Sequence, residues 1–458
     1  MRRRTLVMGL LAAGAVPAVA GCAGDDDTAQ ASAAASGTGG HITESTAITE
    51  VFGNGQRLTA VALKYDAVID RSKVTNASFT VADRTVTAVY TNTSAAKAGH
   101  GTDGAYVIVE LSPLDEAAAV YVDSFTHPAA SSSAEKQSGP PSGKKGGGMS
   151  SSPTVKKAVA SVTQTGTVTT AAGTAYAASS DVVKTSKVVN LVVDDFKTGL
   201  KYTDADTGKS LQYNLFVPKD YDKKKSYPLV LFMHDAGTVG TDPLITLTQG
   251  LGAVIWATPT EQAKRACFVL APQFTGSDEG SDGNATALKT IKGLVDSVSG
   301  AYSIDTDRLY TTGQSGGAMS SIALDFTYPD LFAASFLVAG QWDDLDQVKP
   351  LAKQKIWAVV SQGDTKAYPG MTGLMDTVEK EGTEVSRGVW DGQLTVSEFA
   401  PLTAAMRAKD TPVNFVALKK GTVVWPGLSD DSGSNHICTW RAAYTIEGIR
   451  DWLFEQKK

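Results

Sequence analysis

The stretch Arg308-Leu-Tyr-Thr-Thr-Gly-Gln-Ser-Gly-Gly-Ala-Met-Ser320 decides how this chain is read. Residues 308–312, with Leu309 and Tyr310 at their centre, have the character of a short strand. From Gly316 to Tyr328 the pattern is helical, with small residues at its start. Between them lies Gly313-Gln314-Ser315-Gly316-Gly317, a Gly-x-Ser-x-Gly. Chance alone produces that pattern in a glycine-rich chain, but strand, tight turn and helix together are the setting in which a serine is lifted to the carboxyl edge of a sheet as a nucleophile. Glycine on both flanks removes the Cβ atoms that such a turn would drive into its neighbours. Ser315 is therefore the candidate nucleophile, and the strand–helix unit around it predicts an α/β fold.

Working outward, residues 188–458 repeat this unit. Leu229–Met233, Cys267–Ala271, Ile356–Val360 and Val413–Leu418 are apolar runs without alternation, as expected of strands covered on both faces in a parallel sheet. Between them, Leu288, Ile291, Leu294, Val295 and Val298 recur at helical spacing, and Tyr444, Ile449, Trp452 and Leu453 mark a final helix. The segment is expected to be one domain, a mostly parallel sheet flanked by helices. Residues 43–187 read differently. Val61, Leu63 and Tyr65 fall on one face of a period-two run, as do Val107, Val109 and Leu111, and turn-forming clusters separate such runs. This predicts a small all-β sandwich, interrupted at 128–157 by a Ser-, Gly-, Pro- and Lys-rich insertion that has too few apolar side chains to build a core.

A serine hydroxyl is a weak nucleophile until a base takes its proton. In folds with this elbow the acid and then the histidine follow the serine along the chain. One histidine follows Ser315, His436, in a turn-like stretch Gly433-Ser434-Asn435-His436 ahead of the last helix. Asp364 is the first carboxylate beyond the strand at 356–360 and is the candidate acid. Asp376, Asp391 and Glu398 compete with it. An oxyanion needs two backbone N–H donors. Gly316 would supply one, and the loop His234-Asp235-Ala236-Gly237 the other, from Asp235 or Ala236. His234 itself precedes the serine and is expected to order that loop. Gln314 and Trp342 are tentative pocket residues.

Five stretches together carry a resemblance: Tyr227-Pro-Leu-Val-Leu-Phe-Met-His-Asp-Ala-Gly237, Phe268-Val-Leu-Ala-Pro-Gln273, the elbow, Tyr328-Pro-Asp-Leu-Phe332, and His436 before Thr439-Trp440. With them, residues 210–458 resemble the polyhydroxybutyrate depolymerase and feruloyl esterase branch of the α/β-hydrolases. The whole chain is similar to esterases with an N-terminal immunoglobulin-like domain. The resemblance implies an α/β-hydrolase fold behind that domain, and a Ser-Asp-His triad at Ser315, Asp364 and His436. The chain departs from many relatives after the acid strand, with Ser361-Gln-Gly-Asp-Thr365 where they have His-Gly-x-x-Asp.

The beginning of the chain reads as an export signal. Met1-Arg2-Arg3-Arg4 precedes an apolar run, Leu6 to Ala20, too short to cross a bilayer. Val19-Ala20-Gly21-Cys22 resembles a lipobox, which would place cleavage after residue 21 and lipid on Cys22. Arg3-Arg4 also fits a twin-arginine signal. Residues 22–42 would then tether the folded part to the outer face of the cytoplasmic membrane. The net charge of −6 leaves no electrostatic footprint for nucleic acid. Cys267 and Cys438 remain, either as a disulfide or as two buried thiols. No metal or other cofactor is expected, and the expected partner is a small or polymeric ester. The leading expectation is an exported carboxylesterase-type serine hydrolase. The alternatives are a prolyl-oligopeptidase-like peptidase, an esterase of polyhydroxyalkanoates or feruloyl polysaccharides, and a non-catalytic binding lipoprotein.

Overall fold

We describe the chain from a computed structural model, over residues 40–123, 153–276 and 278–458. The leader at 1–21, Cys22 and nearly all of the tether lie outside the described residues. The chain divides into two compact units. Among the described residues, one comprises 40–50, Arg57–Val120 and Lys157–Leu191, and the other comprises Val51–Gln56, 121–123, 153–156 and the described residues from Val192 to Lys458.

The first unit is built on two larger sheets and also holds a two-stranded ribbon of Val168–Thr169 and Ala175–Tyr176. Strands Lys187–Asn190, Ile42–Phe52, Gly55–Ile69, Gly104–Leu111 and Val86–Asn92 lie side by side in that order, and Val182–Lys184, Ser161–Gln164 and Phe79–Val81 form the second sheet. Val61, Leu63 and Tyr65 are buried, as their alternation suggests, but so are Ala60 and Ala62 on the other face. The period of two is carried by size. The alanine face packs with Ile48 and Ile108 in a small cluster of its own. The Tyr65 hydroxyl donates to Gln164 Oε1 at 2.7 Å, joining the two sheets through a buried hydrogen bond.

Most of the expected insertion, residues 128–152, lies outside the described residues. Its last residues correct the sequence reading. Thr154–Val155 is a strand, antiparallel to Tyr121–Val122, so the chain leaves and returns at one point. Two residues of strand are too short to show against a Ser- and Lys-rich background.

The second unit holds a nine-stranded sheet. Its strands in chain order are β1 (Phe196–Thr203), β2 (Ser210–Phe216), β3 (Tyr227–Met233), β4 (Phe268–Gln273), β5 (Ile304–Gln314), β6 (Ala334–Val338), β7 (Ile356–Ser361), β8 (Val385–Trp390) and β9 (Val413–Leu418). They lie in the order β1-β2-β4-β3-β5-β6-β7-β9-β8. β2 runs antiparallel to both its neighbours, and every pairing from β4 to β8 is parallel. All residues of β3, β4, β6, β7 and β9 are buried, which is why their sequences do not alternate.

The longer helices of this unit are α1 (Ala285–Ala301), α2 (Gly316–Thr327), α3 (Ala367–Lys380), α4 (Val396–Arg407), α5 (Ser432–Ala443) and α6 (Glu447–Glu455). α1 shows why they form. Asn284 caps it by accepting from the Ala287 N–H, and Leu288, Ile291, Leu294, Val295 and Val298 bury one stripe against the sheet core. Each such side chain contributes roughly 1.5–3 kcal/mol by leaving water. Two details differ from the sequence reading. His436 lies within α5, whose start is fixed by Asp431 accepting from the Ser434 N–H, and not in a turn before the last helix. Tyr444 caps the end of α5, so the final helix carries only Ile449, Trp452 and Leu453 of the expected stripe. The run Gly433-Ser434-Asn435 is poor in helix formers, and a side-chain cap overrides that propensity.

Candidate active site

Ser315 stands between β5 and α2 with φ 52° and ψ −118°, a conformation that L residues rarely adopt. Its N–H donates to the Val338 carbonyl of β6 at 2.9 Å, and its own carbonyl accepts from Met319 in α2. The turn is this tight because α2 begins against β3. A methyl group on Gly317 would lie 2.0 Å from the Met233 carbonyl oxygen, so no side chain fits at that position.

The structure brings Ser315, His436 and Asp364 into one hydrogen-bonded row. Ser315 Oγ is 2.8 Å from His436 Nε2, and His436 Nδ1 bonds to Asp364 Oδ2. A carboxylate only accepts, so Nδ1 carries the proton and Nε2 is left to accept from the serine hydroxyl. Asp364 Oδ1 accepts from the N–H groups of Lys366 and Ala367, both at 3.0 Å, at the start of α3. Burial alone would raise the Asp364 pKa. The hydrogen bond and charge of His436 and those two amides outweigh it and hold the carboxyl below its ordinary range. Asp364 is almost fully buried, while the His436 side chain keeps about a quarter of its exposure (28%), so the imidazole is reachable and the carboxyl behind it is not. The three competing carboxylates lie elsewhere. Asp376 pairs with Arg387, Asp391 accepts from the Gln393 N–H, and Glu398 forms a capping box with Thr395 at the start of α4.

Asn435 was missed by the sequence reading, although it sits beside His436. It is fully buried, and its Oδ1 accepts from Ser361 Oγ at the end of β7 and from the Gly421 N–H after β9. Its Nδ2 donates to Asp430 Oδ1 and the Asp431 carbonyl. Ser432 adds a second clasp by accepting from the Thr365 N–H. These bonds tie the helix that carries the base to the loop that carries the acid.

On the other side of the serine, the first N–H groups of α2 and of the helical turn Ala236–Thr238 have no intrahelical acceptor. A methyl on Gly316 would stand 3.3 Å from Ala236 N, so the two chain segments meet there. His234 orders this loop. It is fully buried, its Nε2 accepts from the Phe274 N–H at 2.9 Å, and Nδ1–H donates to the Asp235 carbonyl at 2.8 Å. Burial lowers its pKa and keeps the ring neutral. Asp235 points its side chain inward, accepting from the Gly237 N–H and from Gln314 Nε2.

Gln314 faces the oxyanion loop. It is buried, and its amide spans Asp235 and Gln249 Oε1, which holds the loop from beneath. Trp342 is largely buried too. It packs edge-on against Phe326, and its Nε1–H donates to Gln347 Oε1. Cys267 and Cys438 are free, buried thiols in the structure, so the disulfide is not formed there. Cys267 Sγ accepts from Gln262 Nε2, whereas Cys438 on α5 faces Arg441. Burial pushes the Cys267 thiol up to about 12. Among the described residues, no group of three or more His, Cys, Asp and Glu is placed to hold a metal ion, and no helix is long and apolar enough to cross a membrane.

Comparison with known proteins bears on the N-terminal part first. Residues 44–177 match the family described as the esterase Ig-like N-terminal domain. The chain carries an esterase immunoglobulin-like domain ahead of an α/β-hydrolase fold. A solved structure described as a thermostable esterase superimposes with a TM-score of 0.72 at 25% identity, over 91% of this chain and 100% of that one. Acetylxylan esterase A of Emericella nidulans is 29% identical over 127 residues, which are 24% of this chain and 40% of that protein. Feruloyl esterase B of Talaromyces stipitatus is 29% identical over 144 residues, 30% of this chain and 37% of that protein. The chain therefore spans less than half the length of these two curated relatives.

Proposed function

We propose that this protein is a serine carboxylic ester hydrolase that works through an acyl-enzyme, with Ser315 as nucleophile, His436 as general base and acid, and Asp364 as the group that orients the imidazole. The observation that carries this reading is the hydrogen-bonded row from Ser315 Oγ through His436 to Asp364. Ser315 Oγ attacks the ester carbonyl while His436 Nε2 takes its proton. Asp364 stays ionised and stabilises the imidazolium. The Gly316 and Ala236 N–H groups receive the developing oxyanion. Imidazolium then protonates the leaving alcohol, and a water activated by the same imidazole releases the acid. The esterase names of the relatives support ester substrates, and the name acetylxylan esterase favours acyl groups carried on xylan. The leader sequence supports export and anchoring through lipid on Cys22, which would hold the activity outside the cytoplasmic membrane.

The test is hydrolysis of nitrophenyl esters from acetate to decanoate by the purified protein beside Ser315→Ala. Hydrolysis by the parent, with a loss of about 10⁴-fold or more in the variant, is the expected result. Equal rates for the two proteins on every ester would end the esterase reading.

A further inference from the structure

The loop after β4 places one acidic side chain against the proposed oxyanion site. Glu279 is fixed from both ends. Its carbonyl accepts from Ser320 Oγ of α2 at 2.6 Å, and its Oε1 accepts from Ser281 Oγ at 2.6 Å. Its Oε2 is shut off from solvent and has no hydrogen-bond partner among the described residues. A methyl built on Gly316 would lie 3.4 Å from that oxygen and 3.3 Å from Ala236 N. Oε2 therefore lies beside the Gly316 backbone, on the side where that residue meets Ala236. A buried polar atom without a partner is costly and is uncommon in native proteins. One that faces a reaction site is explained if a ligand completes it.

The charge around Glu279 decides which form it takes. Burial raises its pKa most. The Ser281 hydroxyl works against that, and the carboxylates of Asp235 on the oxyanion loop and of Asp278 and Asp282 on its own loop add to it, with the result that the group is pushed up to about 7. The nearby ring of His234 is held neutral and supplies no compensating charge. An uncharged carboxylic acid is a hydrogen-bond donor, and a buried acid kept neutral can serve an oxyanion in this way.

We propose that Glu279, as a neutral carboxylic acid, donates a hydrogen bond from Oε2 to the substrate carbonyl oxygen as it becomes an oxyanion, joining the N–H groups of Gly316 and Ala236. The proton stays on Glu279 throughout. Ionised, the same side chain would place a negative charge beside the oxyanion and oppose the reaction. This role rests on the ester-hydrolase reading above. It also predicts an unusual pH dependence: catalysis falls as the pH rises through about 7, where a triad alone would keep its activity.

The experiment measures kcat and KM on one nitrophenyl ester from pH 5 to 9 for the parent, Glu279→Gln and Glu279→Ala, together with the rate at which a fluorophosphonate labels Ser315. Thermal unfolding of each variant reports folding separately. Glutamine keeps a donor and cannot ionise, so Glu279→Gln should lose the falling limb and stay within a few-fold of the parent at pH 6. Glu279→Ala should lose about 100-fold in kcat at pH 6 with KM little changed, as for removal of an oxyanion donor. Labelling rates should follow the same order, since the phosphoryl oxygen occupies the same place. A falling limb that persists in Glu279→Gln, or a parent-like kcat in Glu279→Ala at pH 6, would overturn the proposal. If the parent hydrolyses no ester yet Ser315 is labelled, the esterase reading fails and the labelling rates alone judge Glu279. If Ser315 is not labelled either, both fail.

Discussion

Gly363 and Asn435 occupy a single contact: a methyl group on Gly363 would lie 2.2 Å from both Cγ and Oδ1 of the Asn435 side chain. The glycine lets the acid loop close against the start of the helix that carries His436. The Asn435 bonds to Ser361 and Gly421 then lock the two together. Gly363→Ala is expected to push Asp364 and His436 apart, lowering kcat by about 10- to 100-fold with little change in KM, because displacement of about 1 Å is enough for such a loss. Asn435→Ala removes the obstacle as well as the lock. The double variant should therefore recover part of the kcat lost in Gly363→Ala. Independent, multiplying losses in the double variant would show that the contact does not couple the two elements.

How far the sequence carries can be judged from these same residues. The elbow, the buried runs of β3, β4, β7 and β9 and the chain order from Ser315 to His436 are local signals, and the structure contains each of them. Asn435 and Glu279 are not visible in that way. Each is placed by contacts with residues distant in the chain, Asn435 by Ser361, Gly363 and Gly421 and Glu279 by Gly316 and Ser320, and nothing in its local pattern announces those partners. Gln314 misleads for a related reason. Its place beside the nucleophile suggests contact with substrate, but strand geometry turns alternate side chains to opposite faces, and its amide faces Asp235. The position of His436 fails at the level of propensity, since the Asp431 cap starts a helix where glycine, serine and asparagine read as a turn.

Gln314 gives a prediction that separates support from substrate contact. Gln314→Leu keeps the volume but removes the donor shared by Asp235 and Gln249, leaving a buried carboxylate oxygen short of a partner. The oxyanion loop should loosen, and the loss should appear in kcat, about 10-fold, with KM nearly unchanged. Steady-state kinetics on one ester decide it. A rise in KM with unchanged kcat would mean instead that the glutamine touches substrate, as its place in the sequence suggests.

Asp325, on α2 ten residues after the nucleophile, makes stability depend on pH in a direction opposite to that of Asp364. It is fully enclosed, and neither of its carboxylate oxygens has a hydrogen-bond partner of good geometry among the described residues. Burial, only partly offset by the nearby Ser335 hydroxyl, pushes it up to about 7. In the unfolded chain an aspartate loses its proton near pH 4. Between about pH 4 and pH 7 the folded state therefore holds a proton that the unfolded state has released. Stability falls as the pH rises through that window and stays lower above it. Asp364, held below its ordinary range, stabilises the fold above the unfolded-state pKa, and that contribution is lost only as the pH falls. The full cost of ionising Asp325 inside the fold is on the order of 4 kcal/mol, since every tenfold change in proton affinity between the two states is worth about 1.4 kcal/mol. Asp325→Asn has nearly the same shape and cannot ionise, so its Tm should exceed the parent's by several degrees at pH 8, and the difference should close towards pH 4. Glu279 titrates in both proteins and cancels from the comparison. Thermal unfolding at pH 4, 6 and 8 is the measurement, and a Tm difference that does not change with pH would mean that Asp325 has the same proton affinity in the folded and unfolded chain.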